Sequence, residues 1–314
     1  MDVFRGHHSI ARRLRAPAVA IGNFDGVHLG HRALIDRARA GAAAMAGEAV
    51  ALTFDPHPAF VLAAHLAPRL ITTTDRKLEL LADAGVDVTL VEPFDRALAA
   101  MSPADFAATI LAGALGARRV VVGFDFTFGK GRAGTTDTLR ELGGAHGFEV
   151  DIVEPVAIDG LVASSTRVRA FIAEGNLAGA RLLLGRDVDI DGTIVRGAGR
   201  GRGIGVPTAN VASDTPLLPA LGIYAVWIDV DGHGRRPGAA SVGTNPTFDD
   251  AGRVTVEVHL LDFDADLYGR RARVTFVERL RGEERFPDAD ALVEQIRRDI
   301  ADTRRVLRLT DGHG

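Results

Sequence analysis

Short apolar runs alternate with helix-length segments through the first 186 residues of the chain. The runs lie at 18–24, 49–54, 86–91, 119–126 and 148–156. Because each run is bounded by turn residues and separated from the next by a segment long enough for a helix, the pattern predicts βαβ units. Continuously apolar strands are typical of a parallel sheet that is covered on both faces. We therefore expect an α/β domain over residues 1–186.

After Gly185 the pattern changes to a two-residue period. In 253–260, apolar side chains point to one face, and polar side chains, among them Glu257, point to the other. Further runs of this kind lie at 188–195, 223–230 and 271–277. Together they predict a small antiparallel β-barrel, followed by a C-terminal helix at about 288–309. We expect residues 187–314 to form this second domain.

The composition limits the classes of function. With 46% hydrophobic residues, the 314-residue chain can form a core in each of two domains. A net charge of −4 provides no broad positive field, so we expect no nucleic acid as a partner. Of the 37 basic residues only Lys77 and Lys130 are lysine, which we interpret as genomic base composition.

The absence of cysteine and the length of the apolar runs bear on where the protein is located. The chain has no cysteine, which excludes disulfides and thiolate zinc sites and favours a reducing compartment. The first 17 residues lack the apolar core of a signal peptide, and no apolar run is long enough to cross a bilayer. We expect a cytoplasmic protein without a membrane partner. Self-association is left open.

A turn with the features of a phosphate site follows the first of these runs. Residues 22–31 read Gly-Asn-Phe-Asp-Gly-Val-His-Leu-Gly-His, and a helix should begin within them. Glycines let the backbone approach a ligand, and the first N–H groups of a helix attract anions. His28 and His31 are three residues apart, so both can donate hydrogen bonds to one phosphate. The alternative is a pair of surface histidines at a helix cap.

Two other phosphate-binding motifs, the P-loop and G-x-G-x-x-G, are excluded because the spacing of the residues does not match them. The segment from Gly123 to Lys130 has one residue too many for a P-loop, and Gly131 stands where Ser or Thr is required. The glycine-rich segment 192–205 contains no G-x-G-x-x-G. A dinucleotide-binding Rossmann motif is therefore excluded as well.

The segment 22–31 resembles the signature of the HxGH nucleotidyltransferase superfamily, in the form used by bifunctional FAD synthetases. Three further segments resemble that family in order: Thr-Phe-Asp-Pro-His-Pro at 53–58, Gly-Phe-Asp-Phe-Thr-Phe-Gly at 123–129 and Ser-Ser-Thr-Arg-Val-Arg at 164–169. The resemblance implies a Rossmann-like parallel-sheet domain that transfers AMP from ATP to FMN. It also implies that His28 and His31 are catalytic.

The resemblance further implies two binding regions in this domain. The nucleotide would be held by residues of the turn and of a later helix: Gly22, Asn23, Phe24, Asp25, Gly26, Ser165, Thr166 and Arg169. Hydroxyls, helix-start amides and a guanidinium suit a triphosphate, and Val168 replaces the usual Ile. Pro56, His57 and Asp125 are implied for the flavin or nucleotide pocket. Their alternatives are a rigid proline-bounded turn for His57 and a cap for Asp125.

A glycine-rich segment, 192–210, lies near the start of the second domain. The glycines that could contact ATP are Gly197, Gly201 and Gly205. Such a loop can fold over phosphates, so that its backbone amides form an anion-binding concavity. Thr208 and Asn210 are two apart and can aim oxygen atoms at one face, which suits Mg²⁺ bridging ATP phosphates. The alternative is a hairpin in which Asn210 caps a turn.

This segment resembles the riboflavin kinase fingerprint, except at Gly203 and Val206, where the family often has a side chain and an aromatic residue. Later segments that resemble the family lie at 222–226, 242–248, 257–269 and 280–286. The resemblance implies that Thr208 and Asn210 hold Mg²⁺ and that Glu257 takes the proton of the primary alcohol of riboflavin. Without the resemblance, Glu257 would be interpreted as a solvated strand carboxylate.

The two resemblances together imply a bifunctional enzyme that converts riboflavin to FMN and FMN to FAD, with ATP as co-substrate. Two other hypotheses remain. In one, the barrel only senses flavin beside an active adenylyltransferase, which the presence of Thr208, Asn210 and Glu257 argues against. In the other, the protein stores flavin without catalysis, which the pairing of His28 and His31 argues against.

Overall fold

The computed structural model describes residues 1–197, 206–244 and 254–309. The chain forms two compact units. The first comprises Met1–Arg69 and Thr74–Ser164, and the second comprises Leu70–Thr73 and Ser165–Gly314. The predicted domain boundary near residue 186 lies later in the chain and stays a prediction.

A six-stranded sheet forms the centre of the first unit. Its strands are β1 (Asp2–Arg5), β2 (Ala18–Ile21), β3 (Ala49–Asp55), β4 (Val88–Pro93), β5 (Arg119–Gly123) and β6 (Glu149–Val153). All five pairings are parallel, in the order β1-β4-β3-β2-β5-β6. The predicted parallel sheet is confirmed, and β1 adds an edge strand that the sequence pattern did not indicate.

The helices of the first unit connect these parallel strands. They are α1 (Leu29–Ala44), α2 (Pro58–Leu62), α3 (Thr74–Asp83), α4 (Arg96–Ala100), α5 (Pro103–Phe106) and α6 (Thr136–His146). A π-helical segment, Ala107–Ala114, continues α5, and the hairpin strands β7 (Ala157–Ile158) and β8 (Leu161–Val162) come last. The alternation of strands and helices predicted from the sequence is confirmed.

Alternating side chains along β2 show why the strand is apolar throughout. Val19 and Ile21 pack in the core on one side of the sheet, whereas Ala18 and Ala20 pack in the core on the other. The second core contains Ile35 of α1, and the small alanine side chains let that helix lie close to the strand. A strand buried on both faces has no position for a polar residue.

The strand order reverses beside β2. From β2 the chain places β3 and then β4 on one side, and it returns to place β5 and β6 on the other. In open α/β sheets, ligands bind outside the carboxyl ends of the strands at the point where the order reverses. In this unit, the residues that follow β2 and β5 lie at that point.

The second unit contains a closed antiparallel barrel. Its strands are β9 (Val188–Val195), β10 (Ala209–Ser213), β11 (Gly222–Val230), β12 (Gly234–Thr244), β13 (Val254–Leu260) and β14 (Arg271–Arg281). They close in the order β10-β13-β12-β11-β14-β9. The predicted barrel is confirmed, and the structure adds β10 and β12, which the periodicity had not identified.

Three helices accompany the barrel strands in this unit: α7 (Ser165–Glu174), α8 (Leu177–Leu184) and α9 (Ala289–Val306). The C-terminal helix α9 confirms the prediction, with Asp288 as its N-cap residue. It contacts β11, β12 and β14, and Arg281 of β14 donates two hydrogen bonds to Asp299 at 2.9 and 2.8 Å. Among the described residues of both units, no helix is long and apolar enough to cross a membrane.

Candidate active sites

The turn between β2 and α1 contains three residues with left-handed backbone conformations. Phe24, Gly26 and Val27 have φ values of 51°, 81° and 40°. For Phe24 and Val27 this conformation is strained, and it persists because both side chains are buried in one core of the sheet. Packing therefore fixes the path of the backbone at the predicted phosphate site.

His28 and His31 lie together at the start of α1. His28, which is buried, is the N-cap residue of α1. Its Nδ1 atom accepts a hydrogen bond from the backbone N–H of His31 at 3.3 Å. Because Nδ1 is the acceptor, neutral His28 carries its proton on Nε2, the nitrogen that can donate to a phosphate. The two rings are stacked, with centroids 3.6 Å apart and planes inclined by 19°. The structure thus brings the predicted pair together at a helix N-terminus.

The end of β3 carries the second predicted segment. A cis peptide bond joins Asp55 to Pro56, and His57 is the N-cap residue of α2. The Nδ1 atom of His57 accepts a hydrogen bond from the backbone N–H of Ala59 at 3.2 Å. Since β3 lies next to β2 in a parallel sheet, this segment leaves the same edge of the sheet as the turn that carries His28.

The end of β5 carries the third predicted segment. The backbone N–H of Phe126 donates to the carbonyl of Gly123 at 3.1 Å, so Asp125 lies within a turn, and its side chain is exposed. β5 pairs with β2 on the side opposite β3. The three segments therefore follow three neighbouring parallel strands at one edge of the sheet.

A buried lysine lies beneath the turn. Lys77 of α3 is 8% exposed, and its ammonium lies 3.4 Å from the Asn23 carbonyl, 3.2 Å from Thr53 Oγ1 and 3.4 Å from the Phe54 carbonyl. Burial lowers the pKa of Lys77 below its usual value of 10.5, against the opposing effect of the Asp55 and Asp25 carboxylates. Asp25 is itself 4% exposed. A cation and two carboxylates thus lie beside the predicted nucleotide turn.

The remaining predicted residues of the adenylyltransferase site lie on α7. Ser165 begins this helix, and Thr166 and Arg169 lie in its first two turns. Ser165 and Arg169 are half-buried, whereas Thr166 is exposed. These three residues belong to the second unit, and the two histidines belong to the first. The expectation that α7 holds ATP phosphates opposite the histidines stays a prediction.

In the barrel, Thr208, Asn210 and Glu257 form one cluster. Asn210 of β10 and Glu257 of β13 are register partners on adjacent antiparallel strands, so their side chains share a face. The hydroxyl of Thr208 donates to Glu257 Oε2 at 3.3 Å. Val256 and Val258 are buried in the barrel, which leaves half-buried Glu257 on its outer face. The alternation predicted for this strand is confirmed.

The backbone passes close to the side chains of this cluster at Gly197 and Pro207. A Cβ atom added to Gly197 would overlap the side-chain amide of Asn210, so the chain passes directly over that amide. His259, on the same face of β13 as Glu257, has Nδ1 2.8 Å from the carbonyl of Pro207, one residue before Thr208. Gly201 and Gly205, the other two predicted ATP contacts, lie outside the described residues. So do residues 245–248 of the segment 242–248, which resembles the riboflavin kinase family.

Comparison with known proteins assigns both halves of the chain. An FAD synthetase family model matches residues 10–167, and a riboflavin kinase family model matches residues 184–307. The bifunctional riboflavin kinase/FMN adenylyltransferase of Escherichia coli (strain K12) is 39% identical over 312 residues, which cover 99% of each chain. The chain belongs to this bifunctional family. The riboflavin kinase/FMN adenylyltransferase of Pseudomonas fluorescens is 38% identical over 304 residues, 97% of each chain.

A solved structure has the same fold as this riboflavin kinase/FMN adenylyltransferase family member. It is described as a macrolide-efflux protein from Streptococcus pneumoniae, and it is similar over 97% of this chain and 99% of its own, with a TM-score of 0.86 and 32% identity. Both family models and the curated relatives name flavin activities instead. The solved structure therefore supports the fold, and the family is shown by the family models and the curated relatives.

Three residues at the candidate sites of this riboflavin kinase/FMN adenylyltransferase family member were not predicted from the sequence. Lys77 could have been found from its rarity, since it is one of two lysines in an arginine-rich chain. His259 shares the polar face of its strand with Glu257, so the two-residue period contained that signal. Ser241, the register partner of Glu257 on β12, carried no signal, because the pairing of β12 with β13 follows from the barrel alone.

Proposed function

We propose that the chain catalyses two consecutive reactions with ATP. The second unit transfers the γ-phosphoryl group of ATP to riboflavin and forms FMN and ADP. Residues 1–186 then transfer AMP from a second ATP to FMN and form FAD and pyrophosphate. The observation that carries this proposal is that each half of the chain matched by a family model contains its own cluster of polar side chains. His28 and His31 lie together in the first half, and Thr208, Asn210 and Glu257 lie together in the second.

In the kinase reaction, Glu257 is proposed as the general base. The ribityl 5′-oxygen attacks the γ-phosphorus, the bond to the β,γ-bridging oxygen breaks, and the hydroxyl proton passes to the carboxylate. The hydrogen bond from Thr208 supports this role because it fixes the carboxylate on the outer face of the barrel. Gly197, where a side chain would overlap the amide of Asn210, would let the backbone at that position approach the phosphates.

The kinase cluster also fits Mg²⁺. Within the described parts of the chain, no group of three or more His, Cys, Asp or Glu side chains could hold a metal ion. Mg²⁺ in phosphoryl transfer is commonly held by one or two protein oxygens together with substrate phosphates and water, so a full protein cage is not needed. The hydroxyl of Thr208 and the amide oxygen of Asn210 are such hard oxygen ligands. When bound, Mg²⁺ would neutralise charge that develops on the phosphates.

In adenylyl transfer, the histidines are proposed to stabilise charge. A phosphate oxygen of FMN attacks the α-phosphorus of ATP, and pyrophosphate leaves. The N-terminus of α1 and Nε2 of His28 offer hydrogen-bond donors to the α-phosphate at the reversal point of the sheet. We propose Ser165, Thr166 and Arg169 as further phosphate ligands, and Pro56, His57 and Asp125 as part of the flavin or nucleotide pocket.

The remaining site assignments belong to the same proposal. The residues Gly22, Asn23, Phe24, Asp25 and Gly26 would hold the nucleotide along the strained turn. We also propose that residues 1–186 and 187–314 act as separate catalytic domains. A cytoplasmic location is proposed because both reactions use ATP.

One assay tests the function. The purified chain is incubated with riboflavin, ATP and Mg²⁺, and the flavins are separated by chromatography over time. FMN should rise first and FAD should follow, and chelation of Mg²⁺ should stop both. In a parallel incubation, FMN replaces riboflavin. If FAD forms from FMN but no FMN forms from riboflavin, the result would instead support a barrel that only senses flavin. Flavin that binds without reaction would support a storage protein.

A further inference from the structure

The position of Lys77 is not explained by the stability of its own helix. It is the fourth residue of α3, near the positive end of the helix dipole, where a cation is disfavoured. It also faces inward with Leu80 and Leu81, although lysine is among the residues least often buried. A charge in such a place requires compensating partners.

Those partners come from two different strand ends. The Asn23 carbonyl follows β2, whereas Thr53 Oγ1 and the Phe54 carbonyl belong to β3, and all three lie within 3.4 Å of the ammonium. Thr53, which is fully buried, also donates its hydroxyl hydrogen to the Asn23 carbonyl at 3.0 Å. The ammonium has three donors, and this arrangement supplies three acceptors.

The choice of lysine over arginine fits this arrangement. The other basic residues of the chain, apart from Lys130, are all arginine. A guanidinium is planar and directs its donors in a fixed fork, whereas an ammonium is a compact charge whose donors can rotate toward converging acceptors. A buried pocket formed by two backbone carbonyls and one hydroxyl therefore selects lysine.

We propose that Lys77 is a positioning residue for adenylyl transfer. Its ammonium fixes the turn that carries Asn23 through His28 against the end of β3, which leads into Asp55, Pro56 and His57. One cation thereby sets the distance between the proposed nucleotide-binding turn (23–28) and the proposed flavin-binding segment (55–57). The same cation offsets the charge of Asp25 and Asp55, which would otherwise repel ATP phosphates. This inference rests on the proposed function.

The main test compares Lys77→Met with the wild-type chain. Methionine retains most of the apolar stem but has neither charge nor donors, so the two strand ends lose their common partner. Since small displacements of reacting groups can reduce rates by about 100-fold, we expect a kcat loss of that order for FAD formation from FMN. KM for FMN should change by less than about threefold, because the flavin segment keeps its own turn. Riboflavin phosphorylation should keep its wild-type rate.

Two further variants separate geometry and folding from charge. Lys77→Arg keeps the charge but cannot place three donors in the same space, so kcat should fall by roughly tenfold or more. Arg140→Met removes an exposed cation of α6 that pairs with Asp137 of the same helix, and it should leave both activities unchanged. Circular dichroism and urea unfolding, compared with the wild-type chain, report whether each variant is folded.

The outcomes distinguish this inference from the function on which it rests. If the wild-type chain forms no FAD, the function fails and the inference fails with it. If the wild-type chain forms FAD and folded Lys77→Met forms it at the same kcat, only the role of Lys77 is overturned. Should Lys77→Met not fold, Thr53→Val removes the hydroxyl that joins the ammonium to Asn23 while keeping the charge. We expect about a tenfold loss of kcat for it, and a wild-type kcat would overturn the inference.

Discussion

Asn210 and Glu257 face each other across adjacent antiparallel strands on the outer surface of the barrel. They are 47 positions apart in the sequence, and only the pairing of β10 with β13 brings them together. A carboxylate and an amide oxygen at this spacing can share one ligand. Thr208 completes the cluster through its hydrogen bond to Glu257.

Glu257→Gln should reduce the kinase rate and leave the fold unchanged. The amide oxygen can still accept the hydrogen bond from Thr208, but it is far too weakly basic to take the ribityl proton. General-base contributions are commonly about 100-fold to 10,000-fold, and the rate of FMN formation should fall within that range. Supplied FMN should still be converted to FAD. As a control, Glu278→Gln, at an exposed position of β14, should have no effect, and a wild-type rate for Glu257→Gln would exclude Glu257 as the base.

Asn210→Ala tests the proposed oxygen ligand. Loss of one ligand should raise the Mg²⁺ concentration for half-maximal kinase rate by roughly tenfold or more. Asn210→Asp keeps an oxygen atom at the same position and should retain tighter Mg²⁺ dependence than the alanine variant. Titration of the FMN formation rate with Mg²⁺ measures both. Identical titration curves for all three proteins would remove Asn210 from the metal site.

The parallel sheet could be predicted because its central strands are apolar on both faces. In the barrel, the predicted bounds of β9, 188–195, agree with the structure. β12 could not be predicted in this way. Its sequence contains Pro237 and three glycines, which disfavour a strand locally, yet β11 and β13 supply hydrogen-bonding partners on both sides. β1 has only two apolar residues and is an edge strand.

The candidate catalytic residues were found by motif, but their surroundings were not. His28 and His31 are close in sequence, so helix geometry alone predicted their pairing. The contact of Lys77 with Asn23 spans 54 positions and depends on the packing of α3 against two strand ends. The scarcity of lysine in the chain was interpreted as genomic base composition. That interpretation explains why most basic residues are arginine, but it does not explain why a lysine is found at the buried position 77.

His28→Asn separates capping from catalysis. Asparagine is a good N-cap residue and can still accept the hydrogen bond from the His31 N–H, so the free energy of unfolding should change by less than about 0.5 kcal/mol. His28→Ala also removes the cap, at a further cost of about 1 kcal/mol. Loss of one charge-stabilising donor commonly reduces rates by about 100-fold to 1,000-fold, and both variants, like His31→Ala, should lose FAD formation to that extent. Equal loss of riboflavin phosphorylation would point to misfolding instead.

Two fragments test where the barrel unit begins. Both 187–314 and 165–314 should phosphorylate riboflavin, since both contain the barrel cluster. Only the longer fragment keeps α8, which contacts β9 and β14 and buries Leu183 and Leu184. Because burial of a leucine stabilises by about 1.5–3 kcal/mol, the longer fragment should be more stable by about 3 kcal/mol or more in urea unfolding. Equal stability would mean that α8 is not part of the barrel unit.

The lowered pKa of Lys77 predicts opposite pH responses for stability and activity. In the unfolded chain the pKa returns toward 10.5, so between the lowered value and 10.5 the unfolded chain binds more protons than the folded chain. The free energy of unfolding therefore rises with pH in that window, relative to Lys77→Met, by at most about 1.4 kcal/mol per pH unit. Below the window both states are protonated, and the full penalty for burying the ammonium is present.

Activity should respond in the other direction. As the ammonium loses its proton, the charge that offsets Asp25 and Asp55 disappears, so kcat for FAD formation should fall over the same window in which stability rises. Urea unfolding and kcat, measured at matched pH values for the wild-type chain and Lys77→Met, follow the two quantities separately. The variant should lack both responses, because methionine does not titrate. If the wild-type kcat fell only where the free energy of unfolding also fell, loss of folded protein would explain the activity, and the charge on Lys77 would have no part in it.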